Sequence, residues 1–280
     1  MASKANSKNT DSTQAQNNSK SGDLKKTKDS KSRLYPELIV PYNQHPNRWL
    51  AFPFIGFIVK VLLIIPVAIV LIFIELLYGV LMMITPFVIL FTGKYWNFAY
   101  KYTLVYIRVF TKINLYIFGL TDRYPGFSFD ENGIYTVRID KPDKPSKLLA
   151  FPLIGYLIRL LLLIPYIVYA EILRMGSYTA VLFAWFAVLF TGRYPEGLYE
   201  FIKDYLRVWN AISIYLSYLS DNYPSYHISL NHKTIKIILL IIGIIFAIIY
   251  YLSTFSNDLQ SMKQQPNYSN SQTNSTNSKY

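Results

Sequence analysis

The chain has 280 residues, of which 52 % are hydrophobic, 17 % aromatic and only 16 % charged, and its mean hydropathy of +0.23 is too apolar for an ordinary soluble domain. The net charge of +12 invites a nucleic-acid reading, but the basic residues flank apolar runs instead of forming one basic face, as the positive-inside rule describes. With no cysteine, a disulfide framework, a thiol nucleophile and a thiolate metal site are all excluded.

Residues 1–33 are Ser, Asn, Lys, Asp and Thr with almost no apolar side chains. Such a segment cannot bury enough surface to offset its ordering entropy, so a disordered basic tail is expected. It lacks an apolar h-region, so no cleavable signal peptide is expected, and its lysines place the amino terminus on the cytoplasmic side.

Residues 34–130 read as a first membrane repeat. Tyr35 to Val40 is short and partly β-branched, with Pro36 suited to an edge strand. Trp49 to Thr92 then carries only Lys60 and Glu75 as charges. As one helix it would be about 65 Å long, twice the hydrocarbon core. The run is therefore expected to fold as a transmembrane helical hairpin, entered by a turn at Pro53 and Gly56 and reversed near Glu75 to Gly79. Lys60 would then snorkel to the headgroups. From Tyr95 to Gly119 the residues Asn97, Lys101, Arg108 and Lys112 fall on one helical stripe. This predicts an amphipathic helix lying in the membrane plane with the stripe towards water, against the alternative that it spans.

Residues 131–230 repeat this plan. Leu90-Phe91-Thr92-Gly93-Lys94-Tyr95 returns 99 residues later as Leu189-Phe190-Thr191-Gly192-Arg193-Tyr194. Ala51 to Gly56 returns as Ala150 to Gly155, and the Asp-x-Tyr-Pro element Asp122 to Pro125 as Asp221 to Pro224. A second hairpin is expected, with Arg159 snorkelling and its turn between Glu171 and Ser177. A second in-plane helix follows, with Glu196, Glu200, Lys203, Arg207 and Asn210 on its wet stripe. Strands are expected at Gly126 to Phe129, at Ile134 to Ile139 after the Asn132-Gly133 turn, and at Tyr226 to Leu230, forming a small cytoplasmic sheet with the first strand.

Residues 234–252 are almost wholly apolar and preceded by Lys233 and Lys236, which predicts a separate carboxyl-terminal span. Its Gly243 and Ala247 form a small-xxx-small pair suited to helix packing. Residues 253–280 read as a disordered polar tail outside. The predicted fold class is an all-α integral membrane protein with minor β, located in the cell membrane as a multi-pass chain.

The residues Phe190-Thr191-Gly192-Arg193-Tyr194-Pro195, the following Arg207 and the closing Asp-x-Tyr-Pro resemble a bacterial membrane-protein family catalogued as a domain of unknown function, number 4389. The resemblance covers Tyr35 to about Leu230 as two tandem units. This chain departs from it at Trp96, where Pro follows the Tyr, and at Asn222, where the first unit has Arg123. The family implies a membrane location and no established activity.

The motif itself suits a helix stop at the interface. Gly93 and Gly192 fit a left-handed cap, Lys94 and Arg193 would meet free carbonyls or lipid phosphate, and Tyr95 and Tyr194 would anchor among headgroups. Asp122 and Asp221, with Tyr124, Pro125, Tyr223 and Pro224, would cap the closing turn or pair with Arg108 and Arg207. The histidines His45, His227 and His232 have no second ligand at metal spacing, and no phosphate loop or nucleophile elbow occurs. Neither an enzyme nor a cofactor or metal site is expected. The reading is a non-enzymatic scaffold or interaction protein whose Lys94, Arg108, Arg193 and Arg207 contact anionic lipid or a partner protein, or a second copy of the chain. The alternative is a small-solute or ion transporter using Lys60, Glu75, Arg159 and Glu171.

Overall fold

The computed structural model describes residues 36–43, 45–126, 136–139, 141–226, 228–229 and 231–263. Among these, two strands, β1 (Glu37–Ile39) and β2 (Thr136–Arg138), accompany five helices: α1 (Ile55–Thr92), α2 (Asn97–Ile117), α3 (Ile154–Thr191), α4 (Glu196–Leu216) and α5 (Lys233–Lys263). Helices α1 and α3 have 38 residues each and α2 and α4 have 21 each, and every boundary of the second pair lies 99 residues after that of the first.

The expected hairpin turns are absent, because α1 and α3 run without interruption through Glu75–Gly79 and Glu171–Ser177. The residues around both sites are good helix formers, and a lone Gly79 or Gly176 weakens a helix by only about 1 kcal/mol relative to Ala. In an apolar setting an opened turn would leave backbone groups with no partner, a larger loss. Glu75 stands exposed on the side of α1, and Glu171 pairs with Arg174 on α3. Neither marks an apex.

The hairpins that do form join each long helix to the short one after it. Tyr102 of α2 donates to the Ile74 carbonyl of α1 (3.2 Å), Tyr106 stacks on Tyr78, and Tyr116 lies beside Lys60. The two helices are therefore antiparallel. Helix α4 returns along α3 in the same way, from Phe201 beside Gly176 to Tyr215 beside Arg159. Packing also decides which stripes see water. Asn97, Lys101 and Glu196 are exposed, Arg108, Lys112, Glu200 and Lys203 are half-buried, and Arg207 and Asn210 are buried, so the predicted wet stripe of α4 turns inward.

The contacts between the two halves are reciprocal. Tyr95 donates to the Ser217 carbonyl (2.9 Å) and Tyr194 to the Phe118 carbonyl (3.2 Å), each pair being the other displaced by 99 residues and exchanged. Tyr100 donates to the Ile139 carbonyl (2.9 Å) and Tyr199 to that of Val40 (3.0 Å). Strands β1 and β2 pair antiparallel with Leu38 opposite Val137, positions again 99 apart, and Thr111 of α2 meets Asn210 of α4 (3.0 Å). These two self-matched pairs mark a local two-fold relation. Two of the four expected strands thus pair with each other. Gly126 is described and not in a strand, Phe127–Phe129 and the Asn132-Gly133 turn lie outside the described residues, and the described part of Tyr226 to Leu230 is not a strand.

Helix α5 reaches Lys263, past the expected end at Leu252, and packs along α3 and α4. Ala247 is buried and Gly243 faces α3, close enough that a Cβ on Gly243 would lie 2.4 Å from the Ile172 carbonyl oxygen. One on Gly176 would lie 2.8 Å from the Leu239 carbonyl oxygen. Apolar helices gain no hydrophobic energy from each other in lipid, so close backbone packing carries the association. Gly243→Leu should cost about 1–3 kcal/mol by overpacking, read as a lower melting temperature in detergent. Gly79→Leu is the control, since a Cβ there meets nothing within 4 Å.

Candidate functional site

The repeated motif ends α1 and α3. Gly93 and Gly192 take the left-handed conformation (φ 67° and 70°), and their amides donate to Ile89 and Val188 carbonyls (both 2.8 Å), as a glycine cap requires. The threonine before each glycine completes the stop. Thr92 donates to the Val88 carbonyl (2.6 Å) and accepts the Lys94 amide (3.2 Å), while Thr191 serves the Ala187 carbonyl (2.6 Å) and the Arg193 amide (3.2 Å). Lys94 and Arg193 project outward and are exposed.

The cations that lie on the glycines come from the opposite half. A Cβ on Gly192 would lie 2.7 Å from Arg48 Nη2, and one on Gly93 would lie 3.4 Å from Lys147 Cε. The partial negative charge at a helix carboxyl end favours both placements. Arg48 and Lys147 stand 99 residues apart in the segments before α1 and α3, so only folding brings them to the motif. Tyr95 and Tyr194 differ from expectation more sharply. Each is only 3 % exposed and bridges the halves instead of anchoring among headgroups. Burial pushes the Tyr95 phenol up to about 12 and that of Tyr194 up as well, so both stay protonated donors.

Asp122 and Asp221 cap turns in the segments ahead of the long helices, not the closing turns in which they stand. Asp122 accepts the Asn47 amide (2.7 Å) and the Asn43 side chain (3.0 Å), and Asp221 accepts the Ser146 amide (2.6 Å), fixing the turns that lead into α1 and α3. Pro125 and Pro224 are buried behind them, while Tyr124 and Tyr223 are about 40 % exposed. For Asp221 the expected partner Arg207 is not the one found. Asp221 pairs with Arg159, and Arg207 with Asp204 (2.6 Å).

Arg159 is buried within the protein and does not snorkel. Its guanidinium donates to the carbonyls of Leu149 (3.2 Å), Tyr215 (2.7 Å) and Ser220 (2.9 Å) and to Asp221, and it lies 4.8 Å from the ring centroids of both Tyr215 and Tyr218. Five donors in a rigid fork suit this cage, which a lysine cannot fill. Lys60 occupies the matching place in the first half and is also buried, at 2 % exposure. Gly119 stands where Tyr218 is, and among the described residues the Lys60 ammonium makes no hydrogen bond and lies 5.5 Å from the Tyr116 ring centroid.

A second buried charge cluster escaped the sequence reading. Asp204 (1 % exposed) accepts from Arg207, from Lys236 of α5 (2.5 Å) and from the amide and hydroxyl of Ser229 (3.1 and 3.0 Å). Lys236, expected as a flanking cation outside the membrane, is 1 % exposed and also reaches the Ser229 carbonyl (3.0 Å). The one available signal was Asp204 itself, an acid where α2 carries Val105. Of the four expected headgroup contacts, Lys94 and Arg193 are free to reach a surface, Arg108 is half-buried, and Arg207 is held inside.

Removing Asp221 leaves the Arg159 guanidinium buried with one interaction fewer. Asp221→Ala should cost about 3 kcal/mol of stability, seen as a lower denaturation midpoint in mixed micelles, and Arg159→Leu, which removes the buried charge with its partner left 26 % exposed, should cost less. The tyrosine bridges give a pH dependence. A phenol that ionises near 10 when unfolded and at about 12 when folded favours the folded state below pH 10 and loses that contribution as pH rises through 12. Tyr95→Phe should flatten the fall in stability measured over that window.

Helices α1, α3 and α5 are each long and apolar enough to cross a membrane, the profile of a multi-pass membrane protein. No curated protein and no solved structure matches the chain. Residues 154–226, which begin with α3 and end just beyond the Asp-x-Tyr-Pro turn, match the family model described as a domain of unknown function, DUF4389.

Proposed function

We propose that residues 34–130 are a diverged second copy of the domain matched by residues 154–226, and that the chain is a non-enzymatic scaffold of the cytoplasmic membrane, its amino terminus inside, engaging anionic lipid headgroups. The equal helix lengths and the 99-residue displacement of every boundary support the duplication. One observation carries the lipid reading. Exposed Lys94 and Arg193 follow the glycines against which Lys147 and Arg48 lie, so each carboxyl end gathers two cations on helices whose outer faces are Ile, Leu, Val and Phe. Cations in that position attract anionic lipid by about 1 kcal/mol each.

The transporter reading rests on a different feature, the buried Lys60 ammonium without a hydrogen bond among the described residues. A group of that kind in an apolar body is a candidate solute or proton contact.

Reconstitution into nanodiscs of phosphatidylcholine with and without phosphatidylglycerol separates the two. The anionic lipid should raise the melting temperature, the rise should shrink with added salt, and the double reversal Lys94→Glu with Arg193→Glu should abolish it. Equal melting in both lipids, together with a solute flux lost in Lys60→Met, would replace the scaffold by the transporter.

A further inference from the structure

The long helices point in opposite directions. Helix α2 is antiparallel to α1, and α4 to α3. Tyr95, at the start of α2, reaches Ser217 at the end of α4, while Tyr194 reaches Phe118, so α2 and α4 are antiparallel too. It follows that α1 and α3 run oppositely, and the contacts at their ends agree. Arg48, ahead of α1, meets Gly192 at the end of α3, and Lys147, ahead of α3, meets Gly93 at the end of α1.

Suppose now that α1 crossed the bilayer from end to end. Helix α2 would bring the chain back to its starting face, whereas α3 would have to begin on the far face. The connection from 118 to 153 would then have to cross the hydrocarbon, although its described residues hold no helix and the nine positions 127–135 are too few for a helical crossing at about 1.5 Å per residue; it carries Asp122, Arg123, Lys141, Asp143, Lys144 and Lys147. Irregular backbone at that depth is tolerated only where protein encloses it, and Arg123, Lys141, Asp143 and Lys144 of this connection are exposed. The β1–β2 pair adds a second objection. Its centre lies on the local two-fold axis, which in an upright arrangement lies in the membrane plane, so Glu37 and the edges of a two-stranded sheet would sit at mid-depth.

We infer that α1 and α3 do not thread the membrane but lie along it within one leaflet, with the local two-fold axis along the membrane normal and the β1–β2 pair towards the cytoplasm. This rests on the reading of the chain as a membrane protein and specifies which lipid surface the body takes. Each end of each long helix is then on the same face. At 38 residues, or about 57 Å, the helices no longer have to fit a core of about 30 Å. The outer face of α1, apolar from Ile55 to Phe91 apart from Glu75, lies against acyl chains, with the Glu75 carboxylate reaching to the headgroups of the same leaflet. Only α5, which follows both halves, keeps the freedom to cross. A body of this form adds volume to one leaflet alone.

The natural chain has no cysteine, so single cysteines report position directly. Lys94→Cys at the far end of α1, Arg123→Cys near its start and Gly79→Cys at its middle are all exposed sites. They would be made in the full chain in sealed vesicles of both orientations and treated with an impermeant maleimide, with recovery of monodisperse protein confirming that each variant folds. The inference requires Lys94→Cys and Arg123→Cys to label from the same face, and Gly79→Cys to label from neither until detergent is added. Labelling of Lys94→Cys and Arg123→Cys from opposite faces means that α1 crosses, and labelling of Gly79→Cys opposite Arg123→Cys means that it is re-entrant. Either result overturns the arrangement. Labelling of Gly79→Cys from the same face as Arg123→Cys, without detergent, overturns both it and the membrane reading.

Discussion

The ends of α2 and α4 are tied by backbone carbonyls of one half accepting a phenolic proton from the other. In an apolar body those carbonyls have no water to turn to, so the tyrosine that meets each one is also what sets the register of the halves. Four such bonds, from Tyr95, Tyr100, Tyr194 and Tyr199, fall on two pairs of equivalent positions. Everything else follows from that register: the reversed direction of α3, the pairing of β1 with β2, and the delivery of Arg48 and Lys147 to the far helix ends.

Charge is used differently inside and outside this frame. Arg159 and the Asp204 cluster are enclosed and fully occupied, the first closing the turn before α3 and the second locking α5 to α4 through Lys236. Such groups contribute order more than net stability, because desolvation offsets much of their attraction. The two halves differ at these points. Lys60 and Gly119 stand where the second half has Arg159 and Tyr218, Val105 stands where it has Asp204, and among the described helices α5 packs on α3 and α4. The outward cations at Lys94 and Arg193 have no such partners among the described residues and are the groups offered to a surface.

Much of this was legible in the chain itself. The 99-residue return of the Phe-Thr-Gly motif, the glycine caps, the helix after each motif and the small-residue contact at Gly243 all depend on near neighbours or on periodicity, which a sequence displays. The hairpin expectation failed for an instructive reason. It treated bilayer thickness as the ruler for α1 and α3, although nothing local to Glu75 or Glu171 ends a helix. Length was real information, but it constrained orientation and not continuity.

Composition and periodicity thus determined that the protein is apolar and helical, that its motifs return after 99 residues, and where its long helices stop. The fate of each polar side chain was left to the tertiary structure. Lys60, Arg159, Arg207, Lys236, Tyr95 and Tyr194 look from the sequence like groups bound for water or headgroups. Burial turned all of them inward, and for all but Arg207, whose partner Asp204 stands three residues away, the carbonyls, rings and carboxylates that meet them come from segments remote in the chain. Such partners leave no local trace in the sequence. The direction in which two equivalent halves meet leaves none either, and that direction decides how the protein sits in a membrane.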